Sequence, residues 1–163
     1  MERSRPVTAQ HRRRYDELAR MARPRILLVG GNPPMAAMLT DYFHYDDRYE
    51  IESVEYCDDA LALLDRRRFD LALVLSLHVP WTKWPSSSSA TWRIDFANAI
   101  LLLKHLRALH SPPPVILMSG SPFAEAKEEA LANGAFAFLP KPVGLAELDS
   151  AVVWALESRK GER

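Results

Sequence analysis

The feature that constrains the fold most is a change of apolar period that repeats five times along the chain. Segments 25–29, 51–55, 71–77, 115–118 and 135–139 are short apolar runs that read as strands. Segments 35–44, 60–67, 96–109, 123–132 and 145–157 follow them in turn and carry apolar residues at helical spacing. Strict β-then-α alternation points to a parallel sheet with helices packed on both faces. The first and third runs are continuously apolar, as strands buried on both sides must be. Start and stop signals agree with this reading. Asn32 precedes Pro33 and Pro34, Asp58 and Asp59 precede Ala60, Ser121 precedes Pro122, and Asn133-Gly134 follows the fourth helix.

Right-handed crossovers leave few topologies for five such units. The expectation is a flavodoxin-like (βα)5 doubly wound sheet of order 2-1-3-4-5. In this fold ligands and reactions sit at the carboxyl ends of the strands, where the strand order reverses. Gly30, Gly31, Ser76, Ser119 and Lys141 all fall around that crevice. At 163 residues the chain has material for one packed core. It divides into a basic, helical extension over residues 1–23 and a domain over residues 24–160.

Residues 1–25 hold eight Arg against Glu2, Asp16 and Glu17, so a neutral chain carries +5 there and −5 in the remainder. Such an arm suits an acidic partner, nucleic acid or an anionic membrane, and equally an ordinary solvated helix over residues 8–21 that exposes Arg12, Arg13 and Arg14. Cys57 is the single cysteine, which excludes a disulfide framework and a Cys-based zinc site. The five His show no ligand spacing, so neither a metal nor a cofactor is expected. No apolar run is long enough to span a membrane and no signal-peptide core is evident, which points to the cytoplasm. Gly30-Gly31 lacks the remainder of a phosphate-cradling motif. Ser76 and His78 have no acidic orienter to complete a catalytic triad.

Several motifs occur in an order that resembles the bacterial response-regulator receiver domain. They are Ile26-Leu27-Leu28-Val29-Gly30-Gly31-Asn32; Phe69-Asp70-Leu71, with Pro80 four residues after Ser76; Met118-Ser119-Gly120; and Leu139-Pro140-Lys141-Pro142. The resemblance covers roughly residues 25–157. It implies two-component signal transduction, an acidic pair for Mg²⁺ after strand one, and a phosphoacceptor Asp after strand three. It also implies a Ser or Thr after strand four and a Lys after strand five. Ser119 and Lys141 match. Gly30 and Gly31 stand where the acidic pair belongs, and Ser76 stands at the acceptor position.

The absent groups are those the reaction needs. An acyl phosphate requires a carboxylate nucleophile, and Mg²⁺ prefers carboxylate oxygens. Asp70 opens its strand, at the far end of the sheet, so it cannot substitute. The expectation is a degenerate receiver, not an enzyme, that works by phosphorylation-independent contact with another signalling protein. By resemblance, the fourth helix, fifth strand and fifth helix form a candidate homodimer face. Phe138 occupies the switch-aromatic position and reads as core. On the last helix Leu145, Leu148, Val152 and Leu156 form one stripe, with Val153 and Trp154 beside it. The connection over residues 79–93 is longer than receivers use and carries Trp81, Trp84 and Trp92, either as a lid on the vacated crevice or as a partner anchor. Two other functions stay open: a small-ligand sensor under that Trp loop, and a nucleic-acid-associated regulator using the Arg-rich arm.

Overall fold

A computed structural model describes residues 13, 23–45, 47–75, 92–120 and 124–161, with backbone only for 92–95. Five parallel strands form one sheet: β1 (Arg25–Gly30), β2 (Glu50–Val54), β3 (Leu71–Leu75), β4 (Val115–Ser119) and β5 (Ala137–Pro140). Their order is 2-1-3-4-5, as the alternation of periods predicts. The helices are α1 (Pro33–His44), α2 (Cys57–Arg66), α3 (Trp92–Arg107), α4 (Ala124–Ala132) and α5 (Leu145–Lys160). None is long and apolar enough to cross a membrane.

The two-residue repeat of a strand sorts the core into two layers. Leu27, Val29, Ala72, Val74, Val115, Leu117 and Phe138 face α2, α3 and α4. Ile26, Leu28, Leu71, Leu73, Ile116, Met118 and Leu139 face α1 and α5, meeting Leu39, Phe43, Leu148, Val152 and Leu156. β1, β3 and β4 thereby bury both faces, which accounts for their unbroken apolar runs.

Local chemistry fixes the ends of the elements. Asn32 caps α1: its side-chain oxygen accepts the Met35 N–H at 2.9 Å, while Pro33 and Pro34 occupy positions that need no intrahelical donor. After α4, Gly134 takes φ +98°, its N–H reaches Leu131 O and the Ala135 N–H reaches Ala130 O. These two hydrogen bonds close the last turn. Helix α2 begins earlier than its acidic pair suggested. Tyr56 is the N-cap, and Asp58 and Asp59 lie in the first turn, where they favour the helix dipole.

Four further expectations are corrected. β2 is shifted back by one residue and β5 starts at Ala137, because Ala135 belongs to the closure of α4. Trp92 and Arg93 are helical, so the connection after β3 ends before residue 93; no Gly or Pro interrupts the chain from Ser86 to Ser111, and the helix extends back accordingly. Leu145 does not join the buried stripe of α5 but is 45% exposed in the first turn.

Candidate functional site

Strand register assembles the crevice at the carboxyl end of the sheet. Gly30 lies opposite Leu75, Leu75 opposite Met118, and Ser119 opposite Pro140. Gly31 follows Gly30 directly and Lys141 follows Pro140. The Lys141 N–H donates to the Ser119 carbonyl at 2.9 Å, which ties the ends of β4 and β5 together. Thus the structure brings Gly30, Gly31, Ser119 and Lys141 to one edge. Ser76, Trp81 and Trp84 lie outside the described residues, as does the side chain of Trp92.

The β1 end is built around glycine. Gly30 and Gly31 have φ +79° and +82°, a region L side chains rarely adopt. A Cβ on Gly31 would stand 2.5 Å from Leu75 Cδ1, and Leu75 is fully buried. Sequence reading identified both glycines but missed Leu75, the apolar wall they pack against. Its signal was present as the last residue of an unbroken apolar run.

Ser119 is 2% exposed. Burial pushes the Lys141 ammonium below the ordinary lysine value. Asp70 sits at the other end of the sheet, where its carboxylate accepts the Arg25 N–H at 2.9 Å and its own N–H donates to Arg25 O at 2.8 Å. It is thereby a clamp on the start of β1. Among the described residues no three His, Cys, Asp or Glu side chains come together. A Mg²⁺ site of the receiver kind does not fit the two glycines, which offer only backbone carbonyls.

Phe138 is buried in the layer beneath α2, α3 and α4. On the outer side of α5, Trp154 is 68% exposed and meets Phe136 edge to face at 5.6 Å. Leu131 of α4 is also exposed. Leu148, Val152 and Leu156 are buried against the sheet as their spacing predicts.

No protein-family model matches the sequence, and no curated protein matches it. Solved structures do. The receiver domain of Francisella response regulator 1452 is similar at 22% identity and a TM-score of 0.66, over 83% of this chain and 98% of that one. A CheY-like receiver domain from Methanospirillum hungatei JF-1 gives 22% and 0.66, over 87% and 100%. The signal receiver domain of an HD domain-containing protein from Pseudomonas fluorescens Pf-5 gives 24% and 0.68, over 88% and 93%. At these identities the likeness establishes the receiver fold.

Proposed function

We propose that this chain is a degenerate receiver: a non-catalytic signalling or scaffolding module that acts through protein contacts and without phosphorylation. The observation that carries the proposal is the shape of the β1 end. Two glycines with positive φ angles stand where the acidic pair belongs, and a Cβ on Gly31 would run into the buried Leu75. A lysine held below its ordinary pKa by burial fits a crevice without an acidic cluster. In the same reading residues 24–160 form the signalling domain, and residues 1–23 are an extension of it. The exposed Trp154 and Leu131 support protein contact at α4, β5 and α5, because large exposed apolar side chains favour such use. A second copy or another signalling protein would then meet that face.

The test is amide NMR of the labelled protein titrated with Mg²⁺ and then beryllofluoride, a phosphoryl mimic. Unchanged resonances at Gly30, Gly31, Ser119 and Lys141 are expected. Saturable shifts that propagate to Phe138 would overturn the proposal. Shifts produced by a small metabolite, confined to the crevice, would favour the ligand-sensor reading instead.

A further inference from the structure

Three helices end around one cavity at the amino edge of the sheet, on the side away from the crevice. Its volume is about 430 Å³, within the range of small-ligand sites. Helix α3 stops at Arg107, α4 at Ala132 and α5 at Lys160. The run Pro112-Pro113-Pro114, leading into β4, forms one wall, and Leu103, Leu106 and Phe136 add apolar surface. No acidic side chain is among the lining residues.

Two guanidiniums stand out among the lining groups. The N–H groups of Gly134, Ala135 and Phe136 are spent on the carbonyls of Leu131, Ala130 and Val115, and proline has none to offer. Ser158 donates its hydroxyl proton to Ala155 O at 2.7 Å and retains only acceptor capacity. Arg107 donates to Ala132 O at 3.4 Å, and its stem lies over Gly134, where a Cβ would come 2.6 Å from Arg107 Cδ. Arg159 donates to the carbonyl of Phe69. Each guanidinium spends one N–H on a main-chain carbonyl and keeps the rest of its donor fork. Other arginines of the same edge are placed differently: Arg23, Arg25 and Arg67 hold Asp47, Glu50 and Glu52. Among the described residues Arg107 and Arg159 meet no such carboxylate.

We infer that this cavity binds a small monoanionic acid with an apolar body, its carboxylate held by Arg107 and Arg159. A carboxylate matches the guanidinium fork. Each helix end contributes about half a negative charge, so two guanidiniums set against three helix ends keep a small positive excess. That excess suits a single negative charge. It disfavours a phosphate dianion, which is ordinarily held by main-chain N–H groups at a helix N-terminus, and here the helices present their opposite ends. The proline wall and the apolar side chains then cover the body of the acid. Phe136, which lines the cavity, also meets Trp154 edge to face at 5.6 Å, so a bound acid touches the ring that supports the exposed indole of α5. The site lies at the opposite edge of the sheet from Gly31 and Lys141, and it stands whether or not the crevice is inert.

The experiment is an amide and arginine Nε–H NMR titration of the full chain with sodium benzoate, at about 150 mM salt to screen unspecific attraction. Saturable shifts at Gly134, Ala135, Phe136 and the two arginines are expected, with a Kd of about 1 mM for a ligand of this size. Arg107→Gln weakens binding roughly 10-fold, the loss of one charge-assisted bond. Arg159→Lys weakens it by a similar factor, because an ammonium has no fork. Lys160→Gln, next to Arg159 but outside the lining, leaves the Kd unchanged. If Arg159→Lys loses the dispersed spectrum of a folded domain, Arg107→Gln decides, since its side chain is exposed. No saturable shift at benzoate concentrations well above that Kd overturns the inference, as does an unchanged Kd in Arg107→Gln. Benzyl alcohol binding as tightly as benzoate would show an apolar pocket without a role for the guanidiniums. Inorganic phosphate binding there more tightly than benzoate would show a phosphate site, and either result overturns the assignment. Shifts centred on Ser119 and Lys141 would put the acid in the crevice, with the same consequence.

Discussion

Replacing Gly31 by alanine tests whether the β1 end is truly shaped around glycine. Two costs add. A side chain at φ +82° costs about 1–2 kcal/mol, because its Cβ crowds the following carbonyl. The new methyl would also lie 2.5 Å from Leu75 Cδ1, and forcing an extra carbon into a closed core costs about 1–3 kcal/mol. Leu75 is fully buried and cannot swing into solvent. The sum is about 3 kcal/mol, which for a chain of this size lowers Tm by roughly 9 °C and the urea midpoint by about 1.5 M. Gly134→Ala is the internal comparison. Its φ of +98° carries the same strain, but its nearest neighbour is the Arg107 Cδ at 2.6 Å, on an exposed side chain that can move aside. Only about 1.5 kcal/mol, or roughly 4 °C, is expected there. Paired urea and thermal melts read the difference directly. If Gly31→Ala is no worse than Gly134→Ala, the backbone at β1 relaxes easily and the end of the strand does not require glycine. Gly31→Asp should cost at least as much as the alanine, with no gain of Mg²⁺ affinity by calorimetry.

Asn32→Ala removes the cap from Met35 N–H and should cost about 1 kcal/mol, a Tm loss of roughly 3 °C by calorimetry. Phe138→Ala should cost about 3–5 kcal/mol through the cavity left beneath α3 and α4, measured by urea unfolding; a loss below 1 kcal/mol would show that the ring is not a core group. For Lys141 the folded-state pKa lies below the ordinary 10.5, so the unfolded chain holds the proton more tightly and the charged lysine works against folding at neutral pH. Stability contributed at this site rises as pH climbs through the folded pKa toward 10.5. Lys141→Met should therefore melt no lower than wild type at pH 7 and should lose that alkaline rise, as melts at pH 7 and pH 10 will show.

Much of the fold was legible because the period of the apolar residues changes with the element. The unbroken runs at β1, β3 and β4 and the alternating layers they feed follow from burial on both faces. Boundaries were less legible where two signals compete. Asp58 and Asp59 read as caps but serve as first-turn charges, and Ala135 reads as a strand opening but closes a helix. The crevice was half legible: sequence placed Gly30, Gly31, Ser119 and Lys141 at one edge but could not show the glycine angles or Leu75 behind them. The contact between α1 and α5 left little trace in the sequence. Tyr42 and Asp149 stand 107 positions apart, and nothing in the local pattern of either announces the bond between them.

Position, more than composition, decides what the remaining charges do. The domain keeps carboxylates near its sheet, but those at the amino edge are committed to joining elements. Asp70 holds β1 to the start of β3, and Glu50 binds Arg25 at 2.8 Å across the first strand pair. Arg159 reaches from the end of α5 to the carbonyl of Phe69 and secures the same edge. At the carboxyl edge, Asp58, Asp59, Glu125 and Glu147 lie in the first turns of their helices, where they offset the positive end of each dipole. They belong to helix stability, and among the described residues they do not gather into a cation site. Joined this firmly at the amino edge, the strands keep their register whatever side chains stand at the carboxyl edge, where glycine and leucine meet at the end of β1.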